Sequence, residues 1–265
     1  MGELDDINTI LLCDETKFYL KNGDVEDAIF YFGISVPKDL VAFVNKDFKD
    51  ALDQVRVKKL VFHATEIFRP KRPREKLIEA LTQIIIKYRL QCFCFKYPKN
   101  LLFNASKNLS YLNNDIIDFN KDEFQALFYF VTTLNTYIRD EKPALLKQKI
   151  QMYFDRNVYG LQDDIEGFKF SREDFLLKQM TFVEKSKIGL LALPDFFGFI
   201  FRKAKISNNR FEMGDKSLEH SKLSVYSYYS LLQINSARLF HFVDIDKYID
   251  AIDYLLGLKI DYKNI

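Results

Sequence analysis

Ile7 to Cys13 is a β-rich, mostly apolar run that stops abruptly at Asp14-Glu15. Such a run reads as a buried strand with acids at its carboxyl end, which commits the chain to a sheet with a covered face. Lys21-Asn22-Gly23-Asp24 is a turn signal. Ala28 to Val36 (AIFYFGISV) is a second strand, stopped by Pro37. The first two strands therefore pair as a hairpin.

Beyond the hairpin the period changes. Pro37 to Gln54 is a helix, with Leu40, Val41, Val44, Phe48, Ala51, Leu52 and Val55 at helical spacing and Pro37 suited to its first turn. Lys59 to His63 reads as a third strand, Arg74 to Arg89 as a helix and Leu90 to Tyr97 as a fourth strand. After an Asn-rich loop, Lys121 to Arg139 is a long helix. Lys149 to Phe154 is a fifth strand and Met180 to Glu184 a sixth. Ile188 to Lys205 is a helix, and Leu223 to Phe242 and Ile245 to Leu258 read as two terminal helices. Hairpin strands followed by strands alternating with helices give an α/β chain with a mixed sheet flanked by helices. An antiparallel meander followed by parallel crossovers is, by analogy, the ribonuclease H-like arrangement. The expected organisation is a domain over residues 1–206 and a helical C-terminal extension over 207–265, packed on the same domain.

Composition removes several classes. Lys+Arg 39 against Asp+Glu 37 leaves +2, so no global field attracts a polyanion and nucleic-acid binding has to come from local patches. Cys13, Cys92 and Cys94 cannot build a disulfide framework. The last two form a C-x-C that shares one face of a strand, and core thiols in a reducing compartment are the reading. The N-terminus is acidic where a signal peptide needs basic residues. The richest apolar stretch, Ile188 to Phe201, is interrupted by Pro194 and Asp195. A cytoplasmic protein without a membrane span is expected.

Three acids interrupt apolar surroundings. Asp14 follows ILLC, Asp155 follows QMYF, and Asp195 lies inside LLALPDFFGFIF. A buried carboxylate is expensive unless paired or metal-bound. Asp14 and Asp155 also suit strand-end turn caps, with Arg156 a local ion partner for Asp155, and Asp195 suits a helix start. Together the three suggest a carboxylate cluster for Mg²⁺ or Mn²⁺, which prefer oxygen ligands. Two such ions about 4 Å apart activate water and stabilise a leaving oxygen in phosphodiester cleavage. His63-Ala64-Thr65-Glu66 adds a second group: Glu66 as a lower-ranked ligand and His63 as a proton donor. Glu15 ranks below Asp14 because neighbouring strand residues face opposite sides.

Five segments in order resemble the bacterial domain-of-unknown-function family 3800, itself read as ribonuclease H-like. They are Cys13-Asp14-Glu15-Thr16, Phe30 to Pro37, His63-Ala64-Thr65-Glu66, Met152 to Asp155, and Ser186-Lys187 followed by Leu191 to Asp195. The resemblance covers roughly residues 7 to 205. It implies a metal-dependent nuclease or related phosphodiester hydrolase with Asp14, Asp155 and Asp195 as ligands. Here Asp155 falls on the fifth strand counted, one position further from Asp14 than the neighbouring strand that carries the second carboxylate in ribonuclease H sites.

Arg69, Lys71, Arg72 and Arg74, with Lys76, form a basic stretch just after His63 and Glu66, and Lys58 and Lys59 stand just before that pair. It suits phosphate contacts with RNA or DNA, and equally suits a solvated loop. Tyr226, Tyr228 and Tyr229 offer either stacking or packing surfaces. The alternatives to a nuclease are a catalytically inactive scaffold on the same fold, which a basic side chain in the carboxylate site would favour, and a hydrolase of small phosphoesters.

Overall fold

The structure, a computed structural model, describes residues 7–18, 28–57, 61–69, 74–98, 118–141, 149–168, 179–212, 222–243, 245 and 248. Among these residues seven strands form one mixed sheet and six helices cover it. The strands are β1 (Ile7–Phe18), β2 (Ala28–Pro37), β3 (Gln91–Pro98), β4 (Lys149–Asp155), β5 (Ile165–Phe168), β6 (Gln179–Val183) and β7 (Phe240–Val243). The helices are α1 (Val41–Gln54), α2 (Ala64–Ile67), α3 (Glu75–Lys87), α4 (Asp122–Glu141), α5 (Ala192–Glu212) and α6 (Lys222–Ser236). The strand order is β5-β6-β4-β1-β2-β3-β7. β1, β2 and β3 form an antiparallel meander, while β4 lies parallel to β1 and β6 parallel to β4.

Period-two alternation splits the core across the sheet. Leu12, Phe30, Phe32, Ile34, Cys92 and Cys94 face α5 and the helices inserted between β2 and β3. Leu11, Cys13, Tyr31, Phe93, Phe95 and Phe154 face α4. Aromatic rings fill both layers. Phe32 meets Phe197 of α5 edge-on at 5.6 Å, and Tyr31 stacks on Phe130 of α4 at 4.7 Å. Cys92 and Cys94 share one face as expected, and all three thiols are buried and outside any disulfide. No helix among the described residues is long and apolar enough to cross a membrane.

Several elements differ from the sequence reading. Val61 to His63 is not a strand: Phe62 packs between Phe48 and Phe68, and His63 leads into α2. Residues 58–60 of that expected strand lie outside the described residues. β1 runs on past Cys13 to Phe18, because β2 pairs with it throughout. The helix expected to end at Lys205 continues to Glu212, across the boundary drawn at 206. The helix expected over Leu223–Phe242 stops at Ser236, and Phe240–Val243 instead forms β7, parallel to β3. The second terminal helix lies almost wholly outside the described residues.

The early stop has a local cause. Arg238 takes the left-handed conformation (φ 57°), its amide bonds Asn235 O and the next amide, of Leu239, bonds Ile234 O. α1 and α3 end the same way, with Arg56 and Arg89 left-handed and Val57 and Leu90 closing the turn. This is the Schellman turn, in which glycine normally holds the left-handed position. Among the described residues arginine holds it three times, at a cost of roughly 1 kcal/mol each. The Arg89 and Arg238 side chains are exposed. Arg89→Gly and Arg238→Gly are therefore expected to raise stability by about 0.5 kcal/mol each, after the greater unfolded-state freedom of glycine is subtracted. Urea denaturation tests this, and a loss of stability in both variants would contradict it.

A carboxylate and lysine site at the β1–β4 junction

β1 and β4 run side by side from Ile7 to Leu12, the last pair being Leu12 with Tyr153. Two residues on, past that last pair, stand Asp14 and Asp155. Alternation puts both on the face of Leu12, the face that α5 covers. Asp195 lies in the first turn of α5. Three acids far apart in sequence thus meet where two parallel strands part beneath a helix. β4 is the hydrogen-bonded neighbour of β1, so Asp155 stands one position nearer to Asp14 than the six-strand count placed it. The count runs one too high because Val61–His63, read as part of a strand, does not join the sheet.

Each acid has a distinct environment. Asp195 Oδ2 accepts from the Ala64 amide at 3.2 Å and from Lys185 Nζ at 2.6 Å. It therefore ties α5 to α2 and to the turn after β6. Asp155 Oδ1 accepts from the Asn157 amide at 3.1 Å and from its side-chain amide at 3.0 Å, the turn-cap role. Asp14 is 14% exposed and lies 4.0 Å from Lys185 Nζ. Its carboxyl is pushed up to about 8, first by burial, then by Asp195 and more weakly by Asp155, with Lys185 opposing. The three acids thus share one field.

The sequence reading missed Lys185. It is 5% exposed, directly after the β6–Glu184 segment, and its ammonium reaches between Asp195 and Asp14. Burial lowers its proton affinity, but Asp14 and Asp195 more than reverse that and hold it charged. A signal was available: Lys185 stands two residues past the end of the MTFV run, close to a strand end as Asp14 is after ILLC. The turn carrying it is clamped from outside. Arg156 reaches Asp164 and Glu184, both at 3.4 Å, Lys187 pairs with Asp164, and the Glu184 amide donates to Asp164 Oδ1 at 3.2 Å. Arg156 therefore serves Asp164 and Glu184, while Asp155 caps its own turn.

Other predicted residues lie around this centre. Glu15 pairs across the hairpin with Tyr31 and so lies on the α4 face with Cys13, opposite Asp14. Burial, followed by Asp14 and Asp155, pushes its carboxyl well up; burial above all, with Glu15 adding to it, also raises the Tyr31 and Tyr159 hydroxyls, which bond each other at 3.0 Å. His63 and Glu66 have exposed side chains; their segment reaches the site through the Ala64 backbone. Arg69 is exposed and bonds Glu66 O, whereas Arg74 is half-buried, with one guanidinium nitrogen on Val55 O at 3.2 Å. Lys58, Lys59, Lys71 and Arg72 lie outside the described residues. Tyr228 and Tyr229 are exposed on α6, edge-on to each other at 6.0 Å.

The donor set suits a hard cation. Asp14, Asp155 and Asp195 offer oxygen ligands, and a bound divalent ion would favour the ionised form of Asp14 that burial and Asp195 disfavour. Yet among the described residues no group of three or more His, Cys, Asp or Glu is arranged to hold an ion as the side chains stand. Lys185 occupies the space between Asp195 and Asp14. Comparison with known proteins adds nothing to this picture: no family model, curated protein or solved structure matches the chain.

Proposed function

We propose that the protein is a divalent-metal-dependent nuclease or related phosphodiester hydrolase of ribonuclease H-like architecture, akin to the domain-of-unknown-function family its motifs resemble. The observation that carries this reading is the meeting of Asp14, Asp155 and Asp195 on one face, at neighbouring parallel strand ends and a helix start, with negative charge in excess. The strand order β3-β2-β1-β4-β6, meander first and parallel strands after, supports the ribonuclease H-like assignment. In this reading Asp14, Asp155 and Asp195 hold Mg²⁺ or Mn²⁺. When bound, the metal supplies Lewis-acid stabilisation of phosphoryl oxygens and a more acidic water. Asp195 is oriented by the Ala64 amide and Asp155 by Asn157. His63 stands at the exposed rim as a proton donor, and exposed Arg69 as a contact for the RNA or DNA backbone.

Calorimetric titration with Mg²⁺ and Mn²⁺ tests the reading directly, with Asp155→Asn beside the wild type. Binding that the substitution weakens at least ten-fold is the expected outcome, followed by metal-dependent cleavage in a panel of RNA and DNA substrates. One observation favours a second reading, a catalytically inactive scaffold: the buried Lys185 ammonium already sits among the carboxylates. Absence of binding by every form of the protein would select it.

A further inference from the structure

Lys185 is the one member of the site that neither its sequence motifs nor metal chemistry requires. A buried ammonium is costly unless strongly paired, and this one is built in. It is 5% exposed, 2.6 Å from Asp195 Oδ2 and 4.0 Å from Asp14 Oδ1. The turn that presents it is fixed by Arg156, Asp164, Glu184 and Lys187. The ammonium therefore marks the point at which this cluster accepts a cation. The oxygens it engages belong to two of the three acids assigned to the metal. A unit charge and a double charge within about 4 Å of each other repel strongly, so ammonium and metal exclude one another there.

We propose that Lys185 is the site's internal counter-cation, and that a divalent ion enters only by displacing it from Asp195 and Asp14. The inference rests on the metal reading above and adds how the site is regulated. Without metal the lysine offsets part of the carboxylate repulsion and holds Asp195 in place. With metal the three acids are freed to turn toward the ion. The exchange raises the positive charge at the centre by one, closer to what three carboxylates match. It also sets a threshold: cation affinity is reduced by the work of removing the ammonium.

Two measurements test this with Mn²⁺ alone as the probe. In calorimetry, Lys185→Met is expected to bind Mn²⁺ at least ten-fold more tightly than the wild type, because the competitor is gone and a chain of similar length remains. Binding by the variant alone would be the extreme form of the same result. In the wild type, limited acetylation with acetic anhydride is read by peptide mass spectrometry with chelator or with saturating Mn²⁺. Lys185 is expected to be protected without metal and modified with it, a result that does not depend on the variant folding. Equal or weaker Mn²⁺ binding by a folded Lys185→Met, or unchanged Lys185 protection in the metal-loaded wild type, overturns the displacement and leaves the metal reading intact. Absence of Mn²⁺ binding by both proteins overturns both, and makes Lys185 the permanent occupant.

Discussion

Asp14→Asn is expected to abolish divalent-cation binding and, at the same time, to raise the melting temperature of the metal-free protein. Burial and Asp195 push the folded Asp14 carboxyl up to about 8, whereas an unfolded aspartate ionises near 4. Between those limits the folded state holds a proton that the unfolded state has lost. Stability therefore falls as pH rises from about 4 to about 8 and is flat above. The group contributes a penalty absent in acid and complete in base, the reverse of a salt-bridged aspartate. Asparagine cannot ionise and removes it. At about 1.4 kcal/mol per pH unit, the gain at pH 8 is of the order of 3 kcal/mol, allowing for relaxation of the folded site. For a chain of this size that is a rise of roughly 5–10 °C. Scanning calorimetry of both proteins from pH 4.5 to 9 reads it as a gap that widens with pH. A gap that is constant, or that favours the wild type in base, would show that Asp14 carries no such penalty. The pairing of lost binding with gained stability is what separates a functional carboxylate from a structural one.

Gly198→Val is expected to cost about 3 kcal/mol and to weaken Mn²⁺ binding with it. Gly198 is where α5 lies against β2. A Cβ there would stand 2.7 Å from Phe32 Cδ2 and 3.0 Å from its Cε2. Phe32 has no surface to retreat to, being fully buried among Phe30, Phe197 and Phe201. Replacing a mid-helix glycine normally gains up to about 1 kcal/mol of helix propensity. Overpacking a close-packed aromatic layer costs about 1–3 kcal/mol and more for a branched side chain, so the clash wins. Asp195 lies one turn back on the same helix, so lifting α5 off the sheet carries its carboxylate away from Asp14. Gly189→Ala is the control, since nothing lies within 4 Å of a Cβ at that position. Thermal melts and Mn²⁺ titration should leave it close to wild type. A Gly198→Val protein as stable as this control would mean that the helix and sheet separate without loss.

Much of this was legible in the sequence where one signal dominated. Apolar runs ended by acids located β1 and β4 and placed Asp14 and Asp155. The amphipathic period found α1, α3 and α4, and the unusual acid in LLALPDFFGFIF found Asp195. The misses share physical causes. Val61-Phe62-His63 is apolar enough for a strand, but Phe62 is buried by aromatic contacts with Phe48 and Phe68 rather than by a ladder. β7 was hidden because the stop before it is an arginine in the left-handed position and not the usual glycine. Lys185 was overlooked because charge alone does not say which strand end borders the acids. Only the adjacency of β6 to β4, with Asp155 opposite Val183, brings it there.

The strand order also governs when the site comes into existence as the chain is made. The meander of β1, β2 and β3 pairs neighbours in sequence and can form once the first hundred or so residues have emerged, since domains fold from the N-terminal side during synthesis. β4, β6 and α5 come later, and β7 joins β3 last, with Gln91 and His241 150 residues apart. Asp14 therefore waits beside an unfilled edge, solvated and ionised, until Asp155, Lys185 and Asp195 arrive in that order. The counter-charge reaches the site ten residues ahead of the acid it binds. At no stage does the growing chain need to bury two of these carboxylates on α5's face without the ammonium already made, so the most repulsive part of the molecule is assembled with its neutralising partner to hand.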